Sequence, residues 1–509
     1  MVNKQFSNLF IMKRIILFFI FLFQSVGQLA HAQLVTYKAP EGSLLNTDFS
    51  VRVRQKGHEW QNVSVYLAKV TNVIGTKNII ENTSFAYFDF SGEAEVSVTY
   101  NKGSIKQARI RPVSDSIIAK VRSNTITFSL TGPRNLSIEV NGDIFHNLQL
   151  FANPIETFRP SPTDTSVIYY GPGIHQAGSV VVPSNKTVYI AGGAIVQGQF
   201  LINHAENVRI FGRGILSQLA LWHDDAKVLN TASKNIVKES RNDELTINFS
   251  KNVEVEGLIV MPHKYSVLIG QSNDVKISNL KSFSSEGNAD GIDIFCSSNI
   301  KIDRVFMRNS DDCIAIYGHR WSFYGNTQNV TVKNSTLWAD IAHPVLIGTH
   351  GDTQNPDTLS NMIFSNINIL DQHENQLDYQ GCLALNAGDS NLLDNIRFED
   401  IRIDSVRKGQ IFNIRVMFNH KYNTSAGRGI QNVYFRNISY SGPDRLSIIA
   451  GYDDQRAVKN ITFENLSINN RIISDNMPGK PGFYKTGDMG NVFVGEHVEG
   501  LRFINSKDK

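Results

Sequence analysis

Cysteine is nearly missing from this chain: Cys296, Cys313 and Cys382 are the 3 found in 509 residues. A sparse, odd count excludes a disulfide framework. All three sit in apolar, strand-like runs, so buried free thiols are expected. No Cys or His cluster has ligand spacing, so neither a metal nor another cofactor is expected. An excess of one charge is missing too. Lys and Arg number 50 against 47 Asp and Glu, a net +3, which is too weak a field to argue for nucleic acid as a partner. Apolar runs of bilayer length are absent, so no membrane span is expected. What remains, 41% apolar and 19% charged residues, is the composition of an ordered globular protein.

The longest apolar run, Ile15 to Phe23, follows Lys13 and Arg14 and precedes the small-x-small triplet Ala30-His31-Ala32. That is the pattern of a secretory signal peptide over residues 1–32, with cleavage before Gln33 and Met12 as a second candidate start. No cysteine follows the cleavage site directly, which argues against a lipid anchor. A secreted or periplasmic location and a monomeric state are expected.

Residues 33–160 alternate apolar and polar side chains over short runs, as in Val51-Arg52-Val53-Arg54 and Leu136-Ser137-Ile138-Glu139-Val140. Turn residues such as Gly132-Pro133 and Asn141-Gly142 divide them. This predicts an antiparallel β-sandwich. Pro154, Pro160 and Pro162 mark a linker. Over residues 161–509 a repeat takes over, an Asn followed by an aliphatic residue and further apolar positions. It recurs at Asn207, Asn252, Asn299, Asn329, Asn361, Asn395, Asn432 and Asn460, with a related unit at Asn273-Asp274-Val275. The period and the strand-like content predict a right-handed parallel β-helix whose asparagines form a hydrogen-bonded ladder at a bend. The fold class is therefore all-β, a sandwich followed by a parallel β-helix. A leucine-rich repeat fits poorly, because its period is shorter and its leucine spacing stricter.

One coil of that helix concentrates acid. Aligning Asn288-Ala289-Asp290-Gly291-Ile292-Asp293-Ile294 with Ser310-Asp311-Asp312-Cys313-Ile314-Ala315-Ile316 puts Ile292 on Ile314, Ile294 on Ile316 and Asp290 on Asp312. Stacked strands lie about 4.8 Å apart, so residues one coil apart become neighbours. Strict alternation would bury both acids with the isoleucines, so a bend is needed there, and Gly291 permits one. Asp also serves ordinary turns, but three acids crowded across one coil repel, and at least one pKa should rise. A carboxyl kept protonated in this way can act as a general acid. His343, one coil on, is positioned to hydrogen-bond an acid and set its protonation. Asn288 and Trp321 are candidates for contact with substrate. Trp321, Tyr324 and Trp338 are expected near the acids, as platforms for sugar rings or as packing.

These segments resemble glycoside hydrolase family 28, the polygalacturonases, and its relative family 49, the dextranases. Asn288-Ala289-Asp290-Gly291 is similar to the Asn-Thr-Asp-Gly motif of family 28, and Asp311-Asp312-Cys313-Ile314-Ala315-Ile316 to its Asp-Asp-Cys segment. Ala342-His343-Pro344 stands where Gly-His-Gly is expected. The resemblance covers about residues 170 to 470, and the leading sandwich resembles family 49. It implies a secreted, inverting hydrolase of a polysaccharide, without metal or nucleophile. Asp311 would be the general acid, and Asp290 and Asp312 would activate water. Room for that water is expected between acid and base, at about 6.5–9.5 Å. The Arg-Ile-Lys motif that holds a galacturonate carboxylate in family 28 is replaced by the uncharged Gly381-Cys382-Leu383-Ala384-Leu385-Asn386. Arg415 and Lys421, one coil further, are candidates to substitute. The departure argues against polygalacturonate, and the resemblance of the leading sandwich to family 49 implies a neutral α-glucan or another neutral polysaccharide. Two alternatives stay open: a polysaccharide lyase, although no Arg/Lys cluster or calcium site is evident near Asp290, and a non-catalytic carbohydrate-binding solenoid, which would not require three clustered acids.

Overall fold

The computed structural model describes residues 32–218 and 243–508. The expected export signal lies outside these residues, Ala32 excepted. Alternation sets the sandwich strands. Along Phe49–Arg54, Phe49, Val51 and Val53 are buried while Ser50 and Arg52 are exposed. One sheet has five antiparallel strands, in the order Gln61–Val63, Phe49–Arg54, Ala94–Tyr100, Thr125–Leu130, Lys120–Arg122. The other has six and departs from the antiparallel expectation at one pairing, where Asp143–Pro154 runs parallel to Lys77–Phe90. Between these two strands the chain passes through the opposite sheet and returns from the same end, the kind of long connection a parallel pair needs. A period of two is identical in both strand directions, so alternation could not reveal this. Phe88, Val96, Val98, Ile126, Ile138 and Leu150 fill the space between the sheets.

Between Val167 and Ile504 the described residues wind a parallel β-helix of 30 strands hydrogen-bonded into one sheet, with one antiparallel pairing, Leu466–Ile468 with Arg471–Ile473. Its core is a stack of Val, Ile, Leu and Phe, with like residues piled on like: Phe398 on Phe364 at 4.8 Å, Phe435 on Phe398 at 5.1 Å and Phe463 on Phe435 at 4.6 Å. The asparagine ladder is present. Asn329 donates to Asn299 at 3.1 Å, Asn361 to Asn329 at 3.4 Å and Asn395 to Asn361 at 2.8 Å. Each of these residues has a left-handed φ of 53–59°, the backbone state that Asn tolerates better than other side chains. A second ladder runs beside it, with Asn366 donating to Asn334 and Asn465 to Asn437 at 2.7 and 2.8 Å.

The sandwich seats on one flank of the helix. Tyr66, Phe85, Tyr87 and Phe151 pack against Phe283, Phe306 and Trp338. Trp338, expected near the acids, is instead fully buried in this seam, 3.9 Å from the Arg308 guanidinium and 5.1 Å from that of Arg111. It occupies the strand flank facing the sandwich, one bend away from the flank that carries the acids. The three cysteines are free and buried, as expected.

Candidate active site

The strands Ile292–Phe295, Ile314–Tyr317, Val345–Gly348 and Leu383–Ala387 stack as consecutive rungs of one parallel ladder. Ile292 pairs with Ile314 and Ile294 with Ile316, the register expected from the sequence. These isoleucines enter the core. The acids escape it because the chain bends just before each strand. There the Gly291 N–H donates to the Asp312 carbonyl at 2.8 Å and the Cys313 N–H to the His343 carbonyl at 2.8 Å. Asp290, Asp312 and His343 therefore occupy one place in three successive coils. Gly291 is demanded by closeness rather than by an unusual φ, since a Cβ there would stand 2.2 Å from the Cys313 carbonyl oxygen. A buried polar scaffold fixes the bend. Asn309 Nδ2 donates to Ser282 and Ser284 Oγ at 2.9 and 3.0 Å, and Ser284 Oγ donates to the Ala289 carbonyl at 2.5 Å.

One oxygen from each of Asp290, Asp311 and Asp312 lies within 4.8 Å of the others. Asp290 and Asp312 are buried and Asp311 half-buried. Asp312 collects the donors. His343 Nδ1 sits 2.6 Å from its Oδ1, the His343 backbone N–H 3.1 Å from the same oxygen, and Tyr317 Oη 3.2 Å from Oδ2. The other ring nitrogen of His343, Nε2, faces the Tyr379 carbonyl at 2.9 Å. A carbonyl can only accept, so Nε2 carries a proton. Nδ1 facing a carboxylate needs one as well, which makes the ring an imidazolium. Burial alone would lower the His343 pKa, but the Asp312 charge and hydrogen bond outweigh it and raise it.

Against this paired carboxylate stand acids without a cation of their own. Burial, then the Asp312 charge, push the Asp311 carboxyl up to about 7, and His343 pulls the other way. Burial also raises Asp290 well above the carboxylate range, reinforced by Asp293, Asp311 and Asp312. The patch thus sets Asp311, raised to about 7, beside Asp312, which accepts from three donors; a proton donor beside an acceptor is the pairing that general acid–base chemistry requires. Among the described residues this trio is also the cluster of acids close enough to share a cation. A cation there would hold all three as carboxylates and leave no proton to donate.

The remaining candidates are distributed along the same face. Asn288 is exposed in the turn two residues before Asp290, with a left-handed φ of 53°. Trp321 packs 5.2 Å from Phe295, which stacks at 5.6 Å on Tyr317, so it reaches the site face through two rings. Tyr324 is 58% exposed, 4.2 Å from the His319 ring. Arg415 is half-buried and pairs in register with Asn386, which pairs with Gly348. That places it two rungs beyond the His343 coil, roughly 10 Å along the axis. Lys421 is tied to Gln376 Oε1 at 2.7 Å, an oxygen that also takes the Tyr422 hydroxyl. The intervening coil is uncharged, with Ala384 between Leu346 and Asn413.

Sequence reasoning passed over three side chains. Asp293 had a signal, since alternation between two core isoleucines turns it outward onto the site face. Tyr317 had the same signal, one rung later. Tyr379 lies in the long connection between two rungs, where periodicity carries no information.

Residues 194–477 match the profile of glycosyl hydrolases family 28. Among curated proteins, a polygalacturonase of Juniperus ashei is 24% identical over 259 residues, 48% of this chain and 46% of the relative. A probable endopolygalacturonase D of Emericella nidulans is 27% identical over 186 residues, 36% of this chain and 32% of the relative. The chain spans about half or less of the length of these relatives. Among solved structures, Dex49A from Penicillium minioluteum superposes with a TM-score of 0.57 at 15% identity, covering 91% of this chain and 96% of that one. At that identity the likeness is one of fold, and it extends over sandwich and helix together.

Proposed function

We infer function from one premise: this chain belongs to glycosyl hydrolases family 28, whose profile matches more than half of it. The protein is a secreted glycoside hydrolase that cleaves a polysaccharide by a single displacement with inversion. The observation that carries this reading is the contrast within one patch, Asp311 pushed up to about 7 beside Asp312 wrapped by three donors. Asp311 gives its proton to the leaving glycosidic oxygen. Asp290 and Asp312 hold and activate the water that attacks the anomeric carbon from the other side, and its proton passes to Asp312, since burial keeps Asp290 well above the carboxylate range. His343 orients Asp312 through the 2.6 Å contact of Nδ1 with Oδ1 and does not touch the sugar.

The nearest carboxylate oxygens approach within 4.8 Å, less than the ~6.5–9.5 Å separating carboxyl groups in inverting enzymes. The first length is a closest approach of atoms and the second a separation of groups. Inversion therefore rests on kinship with family 28 and not on this spacing. Export rests on the Lys13–Ala32 pattern. The curated relatives are polygalacturonases by name, but the uncharged coil at Gly381–Asn386 favours a neutral polysaccharide. Arg415 supports the second reading, a uronate, because it is a partly exposed guanidinium on the site face.

The experiment is to incubate the purified protein with polygalacturonate, dextran and pullulan and follow product anomers by NMR. Release of inverted sugar from one polymer is expected, with activity falling as pH rises through about 7 and Asp311 loses its proton. A chelator should change nothing. Product of retained configuration overturns the mechanism. An unsaturated, ultraviolet-absorbing product makes the protein a lyase, and binding without release makes it a carbohydrate-binding solenoid.

A further inference from the structure

The donors around Asp312 do not share its two oxygens evenly. Oδ1 accepts twice from one residue, with His343 Nδ1 at 2.6 Å and the His343 backbone N–H at 3.1 Å. Oδ2 accepts once, from Tyr317 Oη at 3.2 Å. Each carboxylate oxygen offers two lone pairs. Oδ1 is therefore full, and Oδ2 keeps one position open. A proton leaving water has that one place on the carboxyl group to land.

Tyr317 is placed to decide where the open position points. It ends the strand Ile314–Tyr317, and its hydroxyl reaches back along that strand to the acid at the bend. The residue is 5% exposed. Its ring stacks on Phe295 at 5.6 Å and meets the His350 ring edge-on at 5.0 Å. Thr327 Oγ1 pins its backbone by donating to the Tyr317 carbonyl at 2.6 Å. Burial, then the Asp312 charge, raise the phenol well above its ordinary range, so it remains a donor. At 3.2 Å the bond is longer than the ~2.7–2.8 Å usual for O–H···O. It directs the oxygen while taking little of its basicity. We propose that Oδ2 is the atom of Asp312 that receives the proton, and that Tyr317 is a positioning residue that turns its open lone pair to the attacking water. The proposal rests on the reading of Asp312 as the base. In the step, the water O–H bond breaks as the water oxygen bonds the anomeric carbon, and the proton goes to Oδ2. The glycosidic C–O bond breaks as the Asp311 proton passes to the leaving oxygen. Asp312 ends neutral and Asp311 ionised, and proton exchange with solvent resets both.

Y317F deletes one oxygen and keeps the ring. On the polymer that the wild type cleaves, it is expected to lower kcat about tenfold, the scale of a reacting group that loses its orientation, while KM moves less than about twofold. A ring that serves packing alone would leave kcat where it is, so an unchanged or raised kcat overturns the proposal. A rise in KM with kcat unchanged would mean that the hydroxyl binds sugar, and overturns it too. D312N separates this failure from failure of the base reading. With Asp312 as the base, D312N is nearly inactive and adding Y317F to it costs nothing further, the signature of two groups acting as one. A further tenfold loss in the double variant puts Tyr317 to work elsewhere. A D312N protein with the wild-type rate sinks the base reading, and the proposal with it, whatever Y317F does.

A second measurement does not depend on turnover. A phenol that donates to a carboxylate absorbs at longer wavelength than one that does not. The ultraviolet difference between wild type and D312A should therefore contain a tyrosine band, and that band should be missing between Y317F and the Y317F/D312A double variant. No band in the first difference means that the hydroxyl does not donate to Asp312 and overturns the proposal, even if Y317F fails to fold. An equal band in both differences assigns it to another tyrosine, with the same consequence.

Discussion

Two parts of this molecule bury charge, and they do so in opposite ways. In the seam between sandwich and helix, carboxylates meet guanidinium groups: Asp340 faces Arg308 at 3.1 Å, Asp89 faces Arg213 at 2.9 Å and Glu139 faces Arg111 at 2.9 Å. Arg308 is completed by Asn147 Oδ1 and the Ile144 carbonyl at 3.0 and 2.9 Å. On the site face Asp290, Asp293, Asp311 and Asp312 are set against one another, with the His343 imidazolium as the cation that pairs with one of them. Burial alone therefore does not mark a functional group. A buried acid paired with arginine has its charge matched by a fixed cation, and its work is to join the two domains. A buried acid facing other acids is forced to share protons near neutral pH, which is the state a proton-transfer catalyst needs.

The contrast is broken most sharply by substituting one acid in each region. D311N removes the proton donor and is expected to lower kcat by ~10²–10⁴-fold, with the fold intact by circular dichroism. An aryl glycoside, whose leaving group needs no proton, should lose much less. A loss under tenfold on polymer would mean that the acid is elsewhere. In the seam, R308M takes the closest cation from Asp340 and is expected to cost about 3–5 kcal/mol of stability, the usual result of breaking a buried pair on one side. Its urea midpoint should fall while the folded fraction keeps the wild-type kcat. A normal midpoint would show that the Arg407 contact at 3.6 Å suffices and that the seam is less finely paired than its geometry suggests.

His343 is where the two designs meet, since it is the site's one close ion pair, at 2.6 Å. H343Q keeps a polar side chain but removes the charge. The expected cost is about 2 kcal/mol, or roughly 30-fold in kcat, the scale of one charge-assisted hydrogen bond. Stability should respond less than in R308M, because Asp312 keeps the backbone N–H of residue 343 and the Tyr317 hydroxyl as donors. Equal losses of stability in the two variants would erase the distinction between the regions.

The sequence made the ladder register readable to the residue, because Ile292 and Ile314 had to share a core and the acids beside them followed. It also carried the asparagine ladder. The second ladder was readable and was missed, since Asn334, Asn366, Asn437 and Asn465 each fall five residues after a member of the first. What was hidden depends on separation along the chain. The pairing of Arg308 with Asn147 joins residues 161 apart, and no local pattern encodes it, so the sequence left Trp338 open between sugar platform and packing, and it is a seam residue. Tyr379, which orients His343 through its carbonyl at 2.9 Å, comes from an irregular connection with no period to read. Asp293 failed for a different reason. Its outward direction was legible, but an outward position on a strand normally means solvent, and here it means the floor of a crowded site.

The smallest effect separates the regions by sign. A folded-state carboxyl raised from 3.8 to about 7, as at Asp311, binds its proton more tightly in the folded chain than in the unfolded one. That contribution to stability is fully present below about pH 4 and disappears as pH rises through about 7. Above that, the native state holds an ionised Asp311 against Asp312 and is worse off than it would be with a neutral residue. D311N should therefore be more stable than the wild type at pH 8, on the order of 1 kcal/mol once partial exposure and relaxation are allowed for, and the gain should vanish below about pH 4. R308M should be less stable at both values, because Asp340 remains to be buried with a weakened partner. Melting curves at the two pH values test this. A D311N protein that loses stability at pH 8 would mean that Asp311 is held by favourable contacts like a seam residue, and that the protonation split on which the catalytic reading stands does not exist.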